Sequence, residues 1–339
     1  MQAVVLAGGL GTRLRPLTST IPKQLLPVAG VAMIERVLSA LAAHGVDRVV
    51  MSMGHLPEPF ARAYPNRRIA GVEVDFAIEP EPLDTAGAIR FAALAGGIEG
   101  TFLAVNGDVL TDLDVTALVE RHRAAGAEGT IALTPVEDPS AFGVVVTDQS
   151  GRVEEFVEKP APGTAPSNDI NAGTYVLEPS FLGRVAPDQA VSIERVIFPQ
   201  MAADGTLYAV VDPGYWLDAG TAAAFLRANL DAIDGTRQVE IPGSLDDSTL
   251  SLPGASIAPT ATVARSVIGA RAAVRDRADV EGSVLLDGAV VGEGATVHDS
   301  VLGPGSTVGA GAVLDGHCML GEGSSVPEGA RLSGARVER

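Results

Sequence analysis

Residues 4–30 read VVLAGGLGTRLRPLTSTIPKQLLPVAG, an apolar run that breaks into three closely spaced glycines, two arginines and a lysine. β-Branched residues ending on glycine are the pattern of a strand running into a tight loop. Outward from this stretch, up to about residue 235, short apolar runs alternate with helical segments. The strand-like runs are QAVVL, DRVVMSM, VEVDFAI, TFLAV, GTIALTPV and FGVVV. AMIERVLSALAAHG and DVTALVERHRAAG carry apolar residues at three- and four-residue spacing and end on glycine, which predicts helices. Strand–helix alternation predicts an α/β fold, a mostly parallel Rossmann-like sheet with helices on both faces. Ligands of such sheets bind at the carboxyl ends of strands. The glycine loop after VVL lies at one such end, and NGD after TFLAV at another.

Residues 236–252 read as a connector. Beyond them the grammar changes. Aliphatic residues fall at Ile257, Val263, Ile268, then Val274, Val280, Leu285, then Val291, Val297, Leu302, then Val308 and Leu314. The steps are five or six residues, each set of three recurs after 17, and glycine often lies beside them. Three corners per turn predicts a parallel β-helix of hexapeptide-type, left-handed repeats, with about five coils in residues 253–339. The expected organisation is a ligand-binding domain at 1–235, a connector at 236–252 and a β-helix domain at 253–339.

The chain holds 339 residues with a formal net charge of -18 and 46% hydrophobic residues. That balance argues against a nucleic-acid or anionic-membrane surface, since both attract basic faces. No apolar run approaches the roughly 18 residues of a membrane span. Cys318 is the only cysteine, so no internal disulfide forms and a cytoplasmic location is expected. Lys23 and Lys159 are the only lysines, although Lys and Arg together number 24. Arginine serves everywhere else, which singles out both lysines as point charges chosen for a purpose.

The glycine loop is not a Walker loop, for no Gly-Lys-Ser/Thr follows at the required spacing. Nor is it the dinucleotide fingerprint, because Leu14 stands where the third glycine belongs. Glycine still lets backbone N–H groups approach phosphate oxygens, Arg13 adds a planar fork and Lys23 a compact charge.

Together with EPLDTAGAI, VNGDVL, FGVVV, FVEKP, NDINAGTYVLEP and YWLDAGT, in that order, the loop resembles the signature of the sugar-phosphate nucleotidylyltransferases. The resemblance covers essentially the whole chain, the β-helix tail included. Within the family the wording is most similar to its guanylyltransferase members. It implies an in-line transfer of a nucleotidyl group from an NTP, GTP favoured, to a sugar 1-phosphate, mannose 1-phosphate favoured. It also implies Mg²⁺ held by Asp108 and Asp218. By the same resemblance the nucleotide would contact Leu6, Ala7, Gly8, Gly9, Gly11, Thr12, Arg13, Lys23, Asp84, Thr85, Gly87 and Asp108. The sugar phosphate would contact Gly143, Glu158, Lys159, Asn171 and Gly173, with Arg13, Lys23, Asp108, Lys159 and Asp218 as the catalytic set.

Two positions depart from the family pattern. Asp84 stands where the family usually has glycine, and Gln24 where the guanylyltransferases more often have proline and the thymidylyltransferases often glutamine. Glucose 1-phosphate with dTTP or UTP is the near alternative, and a non-catalytic sugar-nucleotide sensor the distant one. His298 and His317 are read as polar positions of the coil rather than as acyltransferase bases. The β-helix is expected to assemble a homo-oligomer.

Overall fold

The computed structural model describes residues 1–54 and 57–339. Two compact units divide the chain, and neither is continuous. One comprises Met1–Gly9 and Ile34–Trp216, the other Leu10–Met33 and Leu217–Arg339.

The first unit is built on a mixed sheet. Strands Val72–Ile78, Arg48–Met53, Gln2–Leu6 and Phe102–Asn106 lie side by side and parallel, in that order. Each falls on one of the apolar runs read from the sequence. Beyond Phe102–Asn106 the pattern turns: Asp169–Leu177 enters antiparallel and pairs also with Gly129–Pro135. Gly143–Thr147 and Val153–Glu158 form an antiparallel ribbon at that border. Parallel order therefore holds for half of the sheet only. Gly143–Thr147, Val153–Glu158 and Asp169–Leu177 follow one another without a crossover helix, so they pair antiparallel, whereas Leu207–Val211, reached through helical turns, lies parallel to Gly129–Pro135.

The helices Met33–Ala43, Asp84–Ala95 and Val115–Ala125 serve the same sheet. Val115–Ala125 is capped by the Asp114 carboxylate, which accepts from Ala117 N at 2.9 Å, and stopped by Gly126 at φ +60°. Phe102, Tyr175, Phe181, Phe198 and Met201 anchor a core cluster in this unit. At roughly 1.5–3 kcal/mol for each fully buried large side chain, this cluster is the unit's main source of stability.

The second unit carries the β-helix. Its strands stack in three parallel sheets, and partners are 17 residues apart: Val267 with Val284, Val274 with Val291, Val280 with Val297. The recurring aliphatic positions fill the core, as Ile268, Leu285 and Leu302 show with no exposure. Ser266, Ser283 and Ser300 form a buried ladder at the same spacing, the Ser266 and Ser283 hydroxyls each accepting from the next serine's N–H. The ladder starts inside the connector, since Thr249–Ser251 already pairs with Val267–Ile268. Partners that span the turn at 316–317 are 18 apart, as Leu302 with Leu320 and Leu314 with Leu332, and the spacing returns to 17 at Leu320 with Val337. The extra residue is absorbed at Gly316 and His317, both left-handed at φ +62° and +66°.

The segment 10–33 packs within this unit. Ala29 N donates to the Asn229 carboxamide at 2.8 Å, on the helix Ala222–Ile233. Gly30 lies against Leu252, and Gly321 of the β-helix against Pro16. Among the described residues no helix is long and apolar enough to cross a membrane.

Candidate functional site

Leu6, Ser52 and Asn106 are register partners, so three parallel strands end level in the first unit. From Leu6 the chain passes through Ala7, whose N–H donates to Ser52 O at 2.8 Å, into Gly8 and Gly9. A Cβ on Gly8 would stand 3.2 Å from Glu79 Oε1 and from Gly54 N, so the backbone packs here because there is no side chain. Glu79 is 8% exposed and its carboxylate is held by Ser52 Oγ at 2.9 Å and Leu83 N at 3.1 Å.

Asp84 opens the next helix at φ +56°. The position thus has the left-handed backbone for which glycine is the usual residue, and Asp is among the side chains that tolerate it. Its Oδ1 accepts from Thr85 N at 2.7 Å, turning the carboxylate onto its own backbone. Ala86 and Gly87 donate their N–H groups to Val191 O, and a Cβ on Gly87 would come within 2.7 Å of Gln189 O.

The residues expected to contact the sugar phosphate lie on the antiparallel strands of the same unit. Gly143 pairs with Glu158, and a Cβ there would lie 2.6 Å from Phe156 and 3.0 Å from Glu158 Oε2. Lys159 adopts φ +50°, its N–H bonded to Phe142 O at 3.0 Å. Its ammonium lies 3.4 Å from Glu158 Oε1 and is 59% exposed. Asn171 accepts from Gly173 N and donates to the Tyr175 hydroxyl, both at 2.9 Å. Gly173, at φ +73°, leaves room for Asn106, whose amide nitrogen sits 2.5 Å from where a Cβ would be. Asp108 follows Asn106 by two residues. Burial pushes the Tyr175 phenol well above its ordinary range, and the charges of Glu194 and Glu158 add to the rise. Trp216 donates to Ala172 O at 2.9 Å and meets Phe142 edge-on at 5.5 Å.

The second unit holds the remaining predicted residues. Gly11, at φ +61°, starts a single turn over Thr12–Leu14, and its carbonyl accepts from Thr18 Oγ1 at 2.7 Å. Arg13 is 63% exposed and its guanidinium lies 3.9 Å from Asp218 Oδ2. Asp218 Oδ1 accepts from Gly220 N at 2.8 Å. Lys23 begins another short turn, with its Cβ 3.4 Å from the Cβ position of Gly11. Gln24 beside it is 1% exposed, and among the described residues neither atom of its amide has a hydrogen-bond partner. On the β-helix, His298 Nε2 lies 3.2 Å from Asp279 Oδ2, and His317 occupies the left-handed turn. Among the described residues no three His, Cys, Asp or Glu side chains are grouped to hold a metal.

Glu79, Ser52, Asn106 and Tyr175 escape sequence reading. Glu79 is one of 42 acidic residues, and only its burial beside Gly8 distinguishes it. Tyr175 reads as a core aromatic, and its hydroxyl acquires a task only once Asn171 faces it.

The Nucleotidyl transferase family matches residues 2–235, and the GMPPB C-terminal domain matches residues 246–338. A Mycobacterium tuberculosis protein named mannose-1-phosphate guanylyltransferase is 38% identical over 264 residues, 77% of this chain and 72% of that protein. A rice protein named probable mannose-1-phosphate guanylyltransferase 1 is 40% identical over 242 residues, 69% of this chain and 66% of that protein. Among solved structures, HddC from Yersinia pseudotuberculosis superimposes with a TM-score of 0.58 at 29% identity, covering 67% of this chain and 97% of that one. A putative glucose-1-phosphate thymidylyltransferase from Bacillus anthracis reaches a TM-score of 0.61 at 24% identity, over 71% and 97%, a likeness of fold alone. With three parallel strands ending level at the glycine loop, and with one family spanning residues 2–235, the chain belongs to the nucleotidyl transferase family.

Proposed function

We propose that this enzyme joins mannose 1-phosphate to GTP, forming GDP-mannose and releasing pyrophosphate. The phosphate oxygen of the sugar 1-phosphate attacks the α-phosphorus of the nucleotide, and the bond to the β-phosphate oxygen breaks in line. With a second pKa near 6 the attacking phosphate is already largely dianionic, so no general base is required. What remains is alignment and neutralisation of charge. Backbone N–H groups at Gly8, Gly9 and Gly11, the Arg13 fork and the Lys23 ammonium are assigned to the triphosphate. Lys159 is assigned to the sugar phosphate, with Glu158, Asn171 and the backbone at Gly143 and Gly173 to the sugar.

Asp108 and Asp218, both hard oxygen donors, are assigned to Mg²⁺, which favours one or two carboxylates and completes its shell with phosphate oxygens and water. When bound, the ion supplies charge neutralisation on the phosphates. Guanine presents two adjacent donors, N1–H and the amino group, and the buried Glu79 carboxylate beside Gly8 has acceptor capacity left to meet them. Homo-oligomerisation through the β-helix rests on its terminal strands, Ser325–Val326, Arg331–Ser333 and Arg336–Val337, each at the end of its sheet.

The observation that carries the reading is the Glu158–Lys159 pair, a hydroxyl acceptor and an ammonium presented together at 3.4 Å beside Gly143. Gln24, with its unpartnered buried amide, favours a second reading in which glucose 1-phosphate reacts with dTTP or UTP. Pyrophosphate release from four NTPs and several hexose 1-phosphates, with Mg²⁺, tests both. The expected result is a kcat/KM for GTP with mannose 1-phosphate at least tenfold above every other pair. A preference for glucose 1-phosphate with dTTP or UTP would favour the second reading. No turnover with any pair, alongside tight GDP-mannose binding, would point to a sensor.

A further inference from the structure

Asn229 sits inside the helix Ala222–Ile233, and its side chain has no exposure. Asparagine is a weak helix former and is costly to bury without partners, so its place here needs a reason. Both ends of its amide are engaged. Nδ2 donates to Phe225 O at 2.9 Å, which fixes the direction of the group. Oδ1 accepts from Ala29 N at 2.8 Å, across 200 residues of chain.

Ala29 is the first residue of a two-residue hairpin turn. Pro27 pairs with Ala32 and Val28 with Val31, and the turn between them has φ +46° at Ala29 and +79° at Gly30. Left-handed backbone at both positions suits Asn-Gly, and alanine in the first is strained. Such strain persists where the surroundings hold it. Asn229 holds the first residue. Leu252 and Pro242 hold the second, with side chains 2.8 and 3.1 Å from where a Gly30 Cβ would be. Leu252 is itself tied to the β-helix, its N–H donating to Ile268 O at 2.9 Å.

Backbone hydrogen bonds join this hairpin to the segment assigned to the triphosphate. Met33 N donates to Leu26 O at 3.0 Å and closes the hairpin's base, and Leu26 N donates to Lys23 O at 3.1 Å. Leu26, Val28 and Ala29 are all buried. A shift at the tip is therefore carried to Lys23 through a short, packed frame. Lys159 and Asn171, assigned to the sugar phosphate, belong to the other compact unit and share none of these bonds.

We propose that Asn229 is a positioning residue for the NTP: its Oδ1 seats the Ala29–Gly30 turn, and the seated hairpin sets where Lys23 presents its ammonium. This rests on the assignment of Lys23 to the triphosphate. Asn229→Leu keeps the side chain's size and removes the acceptor for Ala29 N. Asn229→Asp keeps an acceptor there and loses only the donor to Phe225 O. Gly30→Ala leaves Asn229 alone and pushes a Cβ against Leu252, unseating the tip from its other side.

Asn229→Leu should raise the KM for the NTP about 10- to 100-fold, the scale of a buried group deprived of its partner. The KM for the hexose 1-phosphate should stay within about twofold. Asn229→Asp should keep the NTP KM within about threefold of wild type even though the buried charge lowers its thermal midpoint. Gly30→Ala should reproduce the NTP-selective rise, and it decides the question if Asn229→Leu does not fold. A wild-type NTP KM in Asn229→Leu, or an equal rise in both KM values, would overturn the proposal. So would an NTP affinity that falls in Asn229→Asp in step with the midpoint, the signature of a purely structural tie. Lys23→Ala separates the two readings. If it leaves NTP binding unchanged, the assignment of Lys23 fails and the proposal with it. If it weakens binding while Asn229→Leu and Gly30→Ala do not, only the positioning role is lost.

Discussion

Asp84 is the position at which local backbone energetics can be set against the family pattern. Its φ of +56° is a conformation costing a side chain about 1 kcal/mol or more, and its Oδ1 bond to Thr85 N, at 2.7 Å, offsets about 1 kcal/mol of that. Asp84→Gly relieves the strain and loses the bond in nearly equal measure. It also loosens the unfolded chain, so a net loss of about 0.5–1 kcal/mol is expected. Asp84→Ala keeps the strain and loses the bond, for a loss of about 1–2 kcal/mol. Asp84→Asn, which tolerates the same backbone and can accept the same bond, should stay within about 0.5 kcal/mol of wild type. The predicted order is Asp and Asn, then Gly, then Ala. Urea unfolding followed by fluorescence reads this out, because Trp216 is the only tryptophan and is seated in the same unit against Phe142 and Ala172. An alanine variant as stable as wild type, or a glycine variant more stable by about 2 kcal/mol, would refute the reasoning. Because the carboxylate is turned onto its own backbone, kcat/KM for the NTP should change less than about threefold in the Gly and Asn variants. A gain near 100-fold with Asp84→Gly would mean that the carboxylate faces the nucleotide instead.

Other outcomes follow from the same geometry. Gly173→Ala places a Cβ 2.5 Å from the Asn106 amide at φ +73°, so it should cost about 2 kcal/mol in urea unfolding and more than tenfold in kcat/KM. Hydrogen bonds from Arg184 hold the Glu128 carboxyl below its usual range, with Nη2 to Oε2 at 2.6 Å. A carboxylate with a lowered folded-state pKa stabilises above its unfolded value and loses that contribution as pH falls through the folded one. Glu128→Gln should therefore cost about 2 kcal/mol at pH 7, a difference from wild type that shrinks on acidification below about pH 4.5 in pH-dependent unfolding. Chelation with EDTA should stop pyrophosphate release, and added Mg²⁺ should restore it.

The β-helix was legible because its physics is one-dimensional: a corner needs an aliphatic residue every five or six positions, and that period survives in the letters. The extra residue in the turn at Gly316 and His317 was not, since that turn looks like any other until the register across it slips. Val153–Glu158, Asp169–Leu177 and Leu207–Val211 were not read as strands, while six strands of the first unit were legible from apolar runs. The reversal at Asp169–Leu177 was not, because strand direction depends on where the chain re-enters, not on composition. The glycines and cations proposed for the site come from motif order alone. The roles of Glu79 and Tyr175 could not be read so, since what marks each is an unlike neighbour brought close by the fold: Gly8 and Asn171. The left-handed φ at Asp84 follows from the family's glycine, and the structure adds the bond that lets an aspartate stand there.

The central claim is that an acidic chain with two lysines assigns one to each substrate's phosphate. Equilibrium binding of GTP to wild type, Lys23→Ala and Lys159→Ala tests it most directly. Lys23→Ala should weaken GTP binding by at least tenfold, the scale of one charge-assisted phosphate contact, while Lys159→Ala should leave it within about twofold. Equal GTP affinity in all three proteins, or a loss confined to Lys159→Ala, would contradict it.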